Sequence, residues 1–274
     1  MSQRVAGSSP ARSTIIFRNN RSSKDRAFFF VHHKCTIRGM HGHALFSACL
    51  VGVGAGDAAL RTILVGSWSV RKHTTRWFLL HAGVNAVIAT LSWPSVWATI
   101  VDPINLLNAE AYPPCLMGPG SKVPLHLINA LHVYHAVAWQ LSAQEWWHHI
   151  LFATTLGGTG AWYDWGLLSN YLAFFLCGVP GGIEYALLVA QRMGACSDGC
   201  VRRASMRLNL YMRQPAVLLG LGVGYPALRA GKFQVPPWAI LLHYALGTVN
   251  VCYYAAASVA RAYRLEYKED AKAG

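Results

Sequence analysis

Charge is what this sequence has least of. Of its 274 residues only 13% are charged, and just 11 are acidic; an ordinary soluble domain carries about 25% charged residues. The shortage is uneven. Residues 39–56, 77–101, 123–144, 146–163, 165–183, 214–228 and 233–260 contain no Asp, Glu, Lys or Arg. A helix of about 20 largely apolar residues crosses a bilayer. One or two such stretches would fit a large helical protein with a buried core, but seven in one chain argue against a water-soluble domain.

Other absences narrow the field further. The seven cysteines are odd in number, scattered and mostly set in apolar runs, so their spacing gives no disulfide framework. Cys196 and Cys200 form a C-x3-C pair with no second pair to complete a metal site, and read as loop residues. No internal repeat is visible. The net charge of +13 is not organised as a basic stripe interleaved with aromatics outside the tails, which argues against nucleic acid as a partner. It reads instead as the Lys and Arg excess of cytoplasmic membrane loops.

The charge-free runs predict an all-α fold, a polytopic transmembrane bundle of about seven spans. These fall at 43–65, 77–100, 123–141, 146–163, 166–190, 208–228 and 236–261. Asp57 and Arg61 interrupt the first, but their i,i+4 spacing lets them pair on one face. Trp77, Trp97, Trp139, Trp146, Trp147, Trp162, Trp165 and Trp238 fall near proposed helix ends, where an amphipathic ring meets headgroups. Segments 66–76, 191–207 and the tail after 260 hold eleven Lys or Arg, whereas the alternate loops hold only Lys122, Arg229 and Lys232. The carboxyl end is therefore expected in the cytosol.

Three regions follow. Residues 1–40 form a basic leader with eight Lys or Arg, one acid and repeated Ser. That composition suits an organelle transit peptide, and equally a disordered basic tail or a start at Met40. Residues 41–263 form the membrane domain, and 264–274 a charged cytosolic tail. The loop 101–122, rich in Pro, Asn and Gly, is expected to be ordered only by packing.

Histidines carry the chemistry. His132 and His135 are i,i+3, so they share a face that Trp139 continues. A few residues on, Glu145 precedes the adjacent pair His148 and His149. A short connection makes the two helices antiparallel neighbours. At 1.5 Å per residue His135 lies about 9 Å from the end of its helix, and His149 about 6 Å from the start of the next. The four imidazoles should therefore meet at one depth near the cytosolic boundary. Imidazole titrates near neutrality and suits both proton transfer and metal binding. A second anomaly is GVPGGIE at 178–184: Pro180 and three glycines break the hydrogen-bond ladder, and Glu184 follows one turn later. Such breaks persist where neighbours re-satisfy the backbone, and the carboxylate needs a partner. The histidine cluster and the surroundings of Tyr185 are the expected partners.

With HVYH at 132–135 and QEWWHH at 144–149, the chain resembles the TLC-domain superfamily, which includes the ceramide synthases. The resemblance covers roughly 67–263, and its specific part is some 25 residues long. It implies a TLC-like bundle in the endoplasmic reticulum, a plastid or another organelle membrane. It also implies lipid acyl transfer with acyl-CoA as co-substrate. One of His148 and His149 would then be the catalytic base, with Glu145 or the other histidine orienting it, while His132, His135, Trp139 and Glu184 would bind substrate. The family's downstream aspartate pair has no counterpart, since Asp164 stands alone. A non-catalytic role in lipid sensing, lipid transport or membrane chaperoning fits the same cluster. HVYHA at 132–136 also resembles the histidine box of fatty-acid elongases, with Ala136 in place of its last histidine, and implies acyl-chain condensation. Di-iron lipid hydroxylases need about eight clustered histidines, more than are visible here. No metal or resident cofactor is implied by either resemblance.

Overall fold

The computed structural model describes residues 42–63 and 72–273. The leader at 1–40 and most of the first basic loop lie outside the described residues. Those described are almost wholly helical, with no β-strand among them. Seven helical runs follow in chain order. They are α1 (Gly42–Ile63), α2 (Lys72–Val101), α3 (Val123–Ala138), α4 (143–162), α5 (168–192), α6 (198–229) and α7 (Pro237–Ala273). Four are long and apolar enough to cross a membrane, at Gly42–Ile63, Thr74–Val101, Leu168–Arg192 and Pro237–Arg264. These fit an integral membrane protein. The expected count of about seven spans is not reached on that measure. α3, at 16 residues, is only about 24 Å long at 1.5 Å per residue, short of a hydrocarbon core of about 30 Å. α7 continues through the charged tail to Ala273.

Local sequence explains where the helices begin. Pro124 lies in the first turn of α3 and Pro237 opens α7, positions where the missing N–H costs nothing. α4 starts with a capping box, in which the Ser142 side chain accepts from Glu145 N–H and the Glu145 carboxylate reaches back to Ser142. Ser197 caps α6 by accepting from Cys200 N–H.

Three π-helical segments were not expected from the residue pattern; they lie at His149–Gly157 in α4, Phe174–Gly178 in α5 and Asn209–Arg213 in α6. Such segments are rare and concentrate at functional sites. The α5 segment lies just before Pro180, where a broken ladder was expected. Arg213 Nε donates to the Leu176 carbonyl at 2.9 Å, so a neighbouring helix re-satisfies the backbone. Gly178 lets α5 approach α2, since a Cβ there would stand 3.0 Å from Ala89 Cα.

Hydrogen bonds as well as packing order the loop between α2 and α3. The Asn170 amide, fully buried in α5, donates to Ser95 Oγ (2.9 Å) and to the Ser121 carbonyl (2.8 Å). Lys122 pairs with Asp164 at 2.7 Å, and Leu167 N–H donates to the Leu106 carbonyl. Gly166, at φ +58°, has no room for a Cβ beside Leu106 O, so only glycine fits this turn. Cys115, in the same loop, is disulfide-bonded, while Cys49, Cys177, Cys196, Cys200 and Cys252 are free thiols. One apolar core gathers Leu106, Leu107, Trp165, Leu168 and Ile240 beside this loop; a second joins α1, α2 and α3 through Val53, Trp77, Leu80 and Leu131. Trp77 and Trp165 therefore belong to the core rather than to an interfacial belt. Trp97, Trp146, Trp147, Trp162 and Trp238 are exposed, as a belt requires.

Candidate functional site

Four residues connect α3 to α4, and this tight junction brings both imidazole pairs together. The ring of His132 lies 4.9 Å from His149 and 5.7 Å from His148, and His135 lies 5.3 Å from His149. His149 Nε2 is 3.3 Å from His135 Nδ1. Successive helical residues diverge by about 100°, so the adjacent pair fans out. His149 is buried against α3, while His148 also reaches Tyr254 of α7, with Nδ1 3.0 Å from the hydroxyl.

Other helices close the cluster, with His81 and Tyr254 not singled out in the sequence. His81 of α2 stacks on Tyr185 of α5 at 3.9 Å and meets the edge of Trp77 at 4.2 Å. Trp77 in turn stacks on His135 at 4.0 Å, 22° from parallel. His81 could have been suspected, as an isolated imidazole in a charge-free run one turn after Trp77. Nothing local marks Tyr254.

Tautomer can be assigned in one ring. His132 Nδ1 is 2.7 Å from the Ile128 carbonyl. A carbonyl only accepts, so Nδ1 carries the proton and the neutral ring keeps its lone pair on Nε2.

The carboxylates stand elsewhere. Glu145 is exposed, and its carboxylate accepts from the Ser142 N–H and hydroxyl, both at 2.7 Å. Glu184 is not partnered by the cluster either. It pairs with Arg213 at 3.1 Å and accepts from the Ser205 hydroxyl at 2.5 Å. Its neighbour Tyr185 faces His81 instead. Arg213 also binds Asn209 Oδ1 and the Leu176 carbonyl, so the ion pair joins the π segments of α5 and α6.

A third polar group adjoins the histidines. Asp57 of α1, fully buried, accepts from Arg76 (2.6 Å), Arg61 (2.9 Å) and the Tyr134 hydroxyl (2.9 Å). The i,i+4 pairing with Arg61 was legible in the sequence; the other two partners come from α2 and α3. Trp139 packs between the two groups, 4.6 Å from Trp77 and 5.5 Å beneath the Arg76 guanidinium.

The candidate site is thus a half-buried cluster of His81, His132, His135, His148 and His149, edged by Trp77, Tyr185 and Tyr254. It can accept and pass protons, hydrogen-bond a polar headgroup or supply nitrogen ligands. No family model, no characterised protein and no solved structure matches the chain.

Proposed function

We propose that this chain is an integral membrane protein of TLC-like architecture that acts on lipids, with the imidazole cluster as its reactive centre. On this reading all seven helices belong to the membrane domain, the cluster faces the cytosolic leaflet, and the home membrane is the endoplasmic reticulum or another organelle. The carrying observation is the convergence of His132, His135, His148 and His149 from two helices onto one another. Ionisable groups within a membrane domain serve function more often than structure.

The chemistry proposed is acyl transfer from acyl-CoA. A lipid amine or hydroxyl attacks the thioester carbonyl, and a neutral imidazole of His148 or His149 takes its proton. The carbon–sulfur bond breaks, and the proton passes to the departing thiolate. A positioned base of this kind contributes about 10²–10⁴-fold. His132, with its lone pair on Nε2, would accept a hydrogen bond from the attacking group.

A second reading has its own support. Glu145 hydrogen-bonds to Ser142 and Glu184 pairs with Arg213, so neither of these two carboxylates is hydrogen-bonded to an imidazole. A cluster of that kind suits non-catalytic binding of a headgroup, in sensing, transport or chaperoning. Elongase-like condensation is a weaker third reading, resting on HVYHA alone.

The experiment is to purify the chain, identify co-purifying lipids by mass spectrometry, and supply labelled acyl-CoA with lipid amines and alcohols. Acyl transfer that disappears in His148→Ala, His149→Ala while the protein stays folded supports catalysis. Intact bound phospholipid without turnover excludes transfer and supports the binding role.

A further inference from the structure

A second charged group, apart from the imidazoles, is built to hold an anion. We propose that Arg61 and Arg76, fixed side by side on Asp57, bind one phosphate group at the end of α1 and the start of α2. The inference goes beyond acyl transfer and does not depend on it.

Charge sets the need. Asp57, fully buried, takes Arg76 Nε on one carboxylate oxygen at 2.6 Å, and Arg61 Nε and Nη2 on the other, both at 2.9 Å. The Tyr134 hydroxyl is a third donor but carries no charge. Among the described residues neither arginine pairs with any other carboxylate. One negative charge therefore holds two guanidiniums together and leaves one positive charge uncompensated. Like charges this close repel one another, and a second anion relieves that repulsion.

Donors set the geometry. A guanidinium presents its N–H groups in one rigid plane. Arg76 commits only Nε, so its Nη hydrogens have no hydrogen-bond partner among the described residues. Those nitrogens are not sealed inside the protein, although the side chain as a whole is mostly buried. Asp57 at one edge and the Trp139 ring, 5.5 Å beneath, hold the plane in place, and Trp139 is itself packed on Tyr134 at 5.6 Å. Arg61, in the last turn of α1 and largely exposed, can turn its remaining N–H groups onto the same ligand. One fork is preset and the other closes on what it holds.

Donor type and position select the anion. Planar N–H forks bind phosphate and carboxylate bidentately. A phosphate monoester carries about −1.5 to −2 charge near pH 7 and offers three acceptor oxygens, enough for both forks at once. Arg61 closes one candidate membrane span and Arg76 opens the next, so both lie at one membrane boundary, the level at which long basic side chains reach headgroups. A phospholipid headgroup and a soluble phosphate ester present the same oxygens there. The site also adjoins the imidazoles, since Trp139 is 4.6 Å from Trp77, and Trp77 is 4.0 Å from His135.

The test uses the full chain in maltoside micelles free of phosphate. Native mass spectrometry counts retained phosphatidic acid, with oleate as a carboxylate control, and thermal shift reads protection by inorganic phosphate. One phosphatidic acid per chain, held more tightly than oleate, is expected. Arg61→Gln should weaken it about 10-fold or more. Arg76→Lys, which keeps the charge and loses the fork, should weaken it too, whereas the exposed Arg264→Gln, an equal loss of charge, should not. Protection by inorganic phosphate that Arg61→Gln removes, without lipid retention, supports the site and assigns it to a soluble phosphate ester. Binding of neither probe, oleate held as tightly as phosphatidic acid, equal weakening by Arg264→Gln, or an Arg61→Gln protein that melts earlier yet keeps its ligand overturns the proposal. His148→Ala, His149→Ala should still bind phosphate, so this site and the proposed reaction fail separately.

Discussion

His149 Nε2 sits 3.3 Å from His135 Nδ1, across a junction of four residues between α3 and α4. The contact joins two titratable rings fourteen positions apart in a chain with few charges to spare. If either ring moves protons in acyl transfer, His149→Ala should lower turnover about 10²–10⁴-fold. Circular dichroism should remain that of a folded helical bundle. Steady-state assay of purified variants checks this, with His43→Ala as the unaffected control.

Asp57 holds α1, α2 and α3 together. Removing its charge strands Arg76, whose side chain is only 13% exposed, whereas Arg61 is 58% exposed and can turn to solvent. Breaking a buried pair by deleting one partner costs about 3–5 kcal/mol. Asp57→Ala should therefore lower the thermal unfolding midpoint in detergent by several degrees, and Arg61→Ala should lower it much less.

Asn170 ties the loop between α2 and α3 to α5. Asn170→Ala leaves the Ser121 carbonyl without its donor, and a buried unsatisfied group costs about 1–3 kcal/mol. Hydrogen exchange should show the loop at 102–122 losing protection before the helices do. Uniform loss across the bundle would contradict a local role.

Gly224 of α6 faces the Tyr244 hydroxyl of α7, and a Cβ there would overlap the hydroxyl oxygen. Overpacking typically costs about 1–3 kcal/mol. Gly224→Ala should destabilise by that amount, and Tyr244→Phe, which removes the obstructing atom, should recover much of the loss in the double variant.

Tyr112, in the loop, gives a pH dependence. Burial and the nearby Asp102 carboxylate, 3.1 Å from its hydroxyl, push its ionisation above the ordinary tyrosine range. A raised pKa in the folded state means the contribution is intact below the unfolded value of about 10 and is lost as pH rises beyond it. Thermal melts between pH 9 and pH 11, in buffers on either side of about 10, should show wild-type stability falling more steeply than that of Tyr112→Phe.

Much of the helix order could be read from the sequence, because membrane helices announce themselves as charge-free runs and loops as Pro and Gly. The run at 77–100 lies within the observed α2, and that at 236–261 begins one residue before α7. The meeting of His132 and His135 with His148 and His149 was legible too, since i,i+3 spacing and a short connection leave little freedom. What failed depended on contacts distant in sequence. Glu184 finds Arg213, 29 residues on. Tyr254 enters the cluster from a helix 106 positions beyond His148. The spacing of Ser142 and Glu145 is that of a capping box, so the hydrogen bonds Glu145 makes at the helix start were written locally.

The central claim is that α3 and α4 turn their imidazoles onto each other. Solid-state NMR on protein labelled with ¹⁵N in its histidine rings tests it most directly, through nitrogen–nitrogen correlation in lipid bilayers. A cross-peak between His135 Nδ1 and His149 Nε2, at the intensity of a 3.3 Å separation and absent in His149→Gln, is the predicted result. Histidine rings that show no inter-residue nitrogen contact in a folded protein would contradict it.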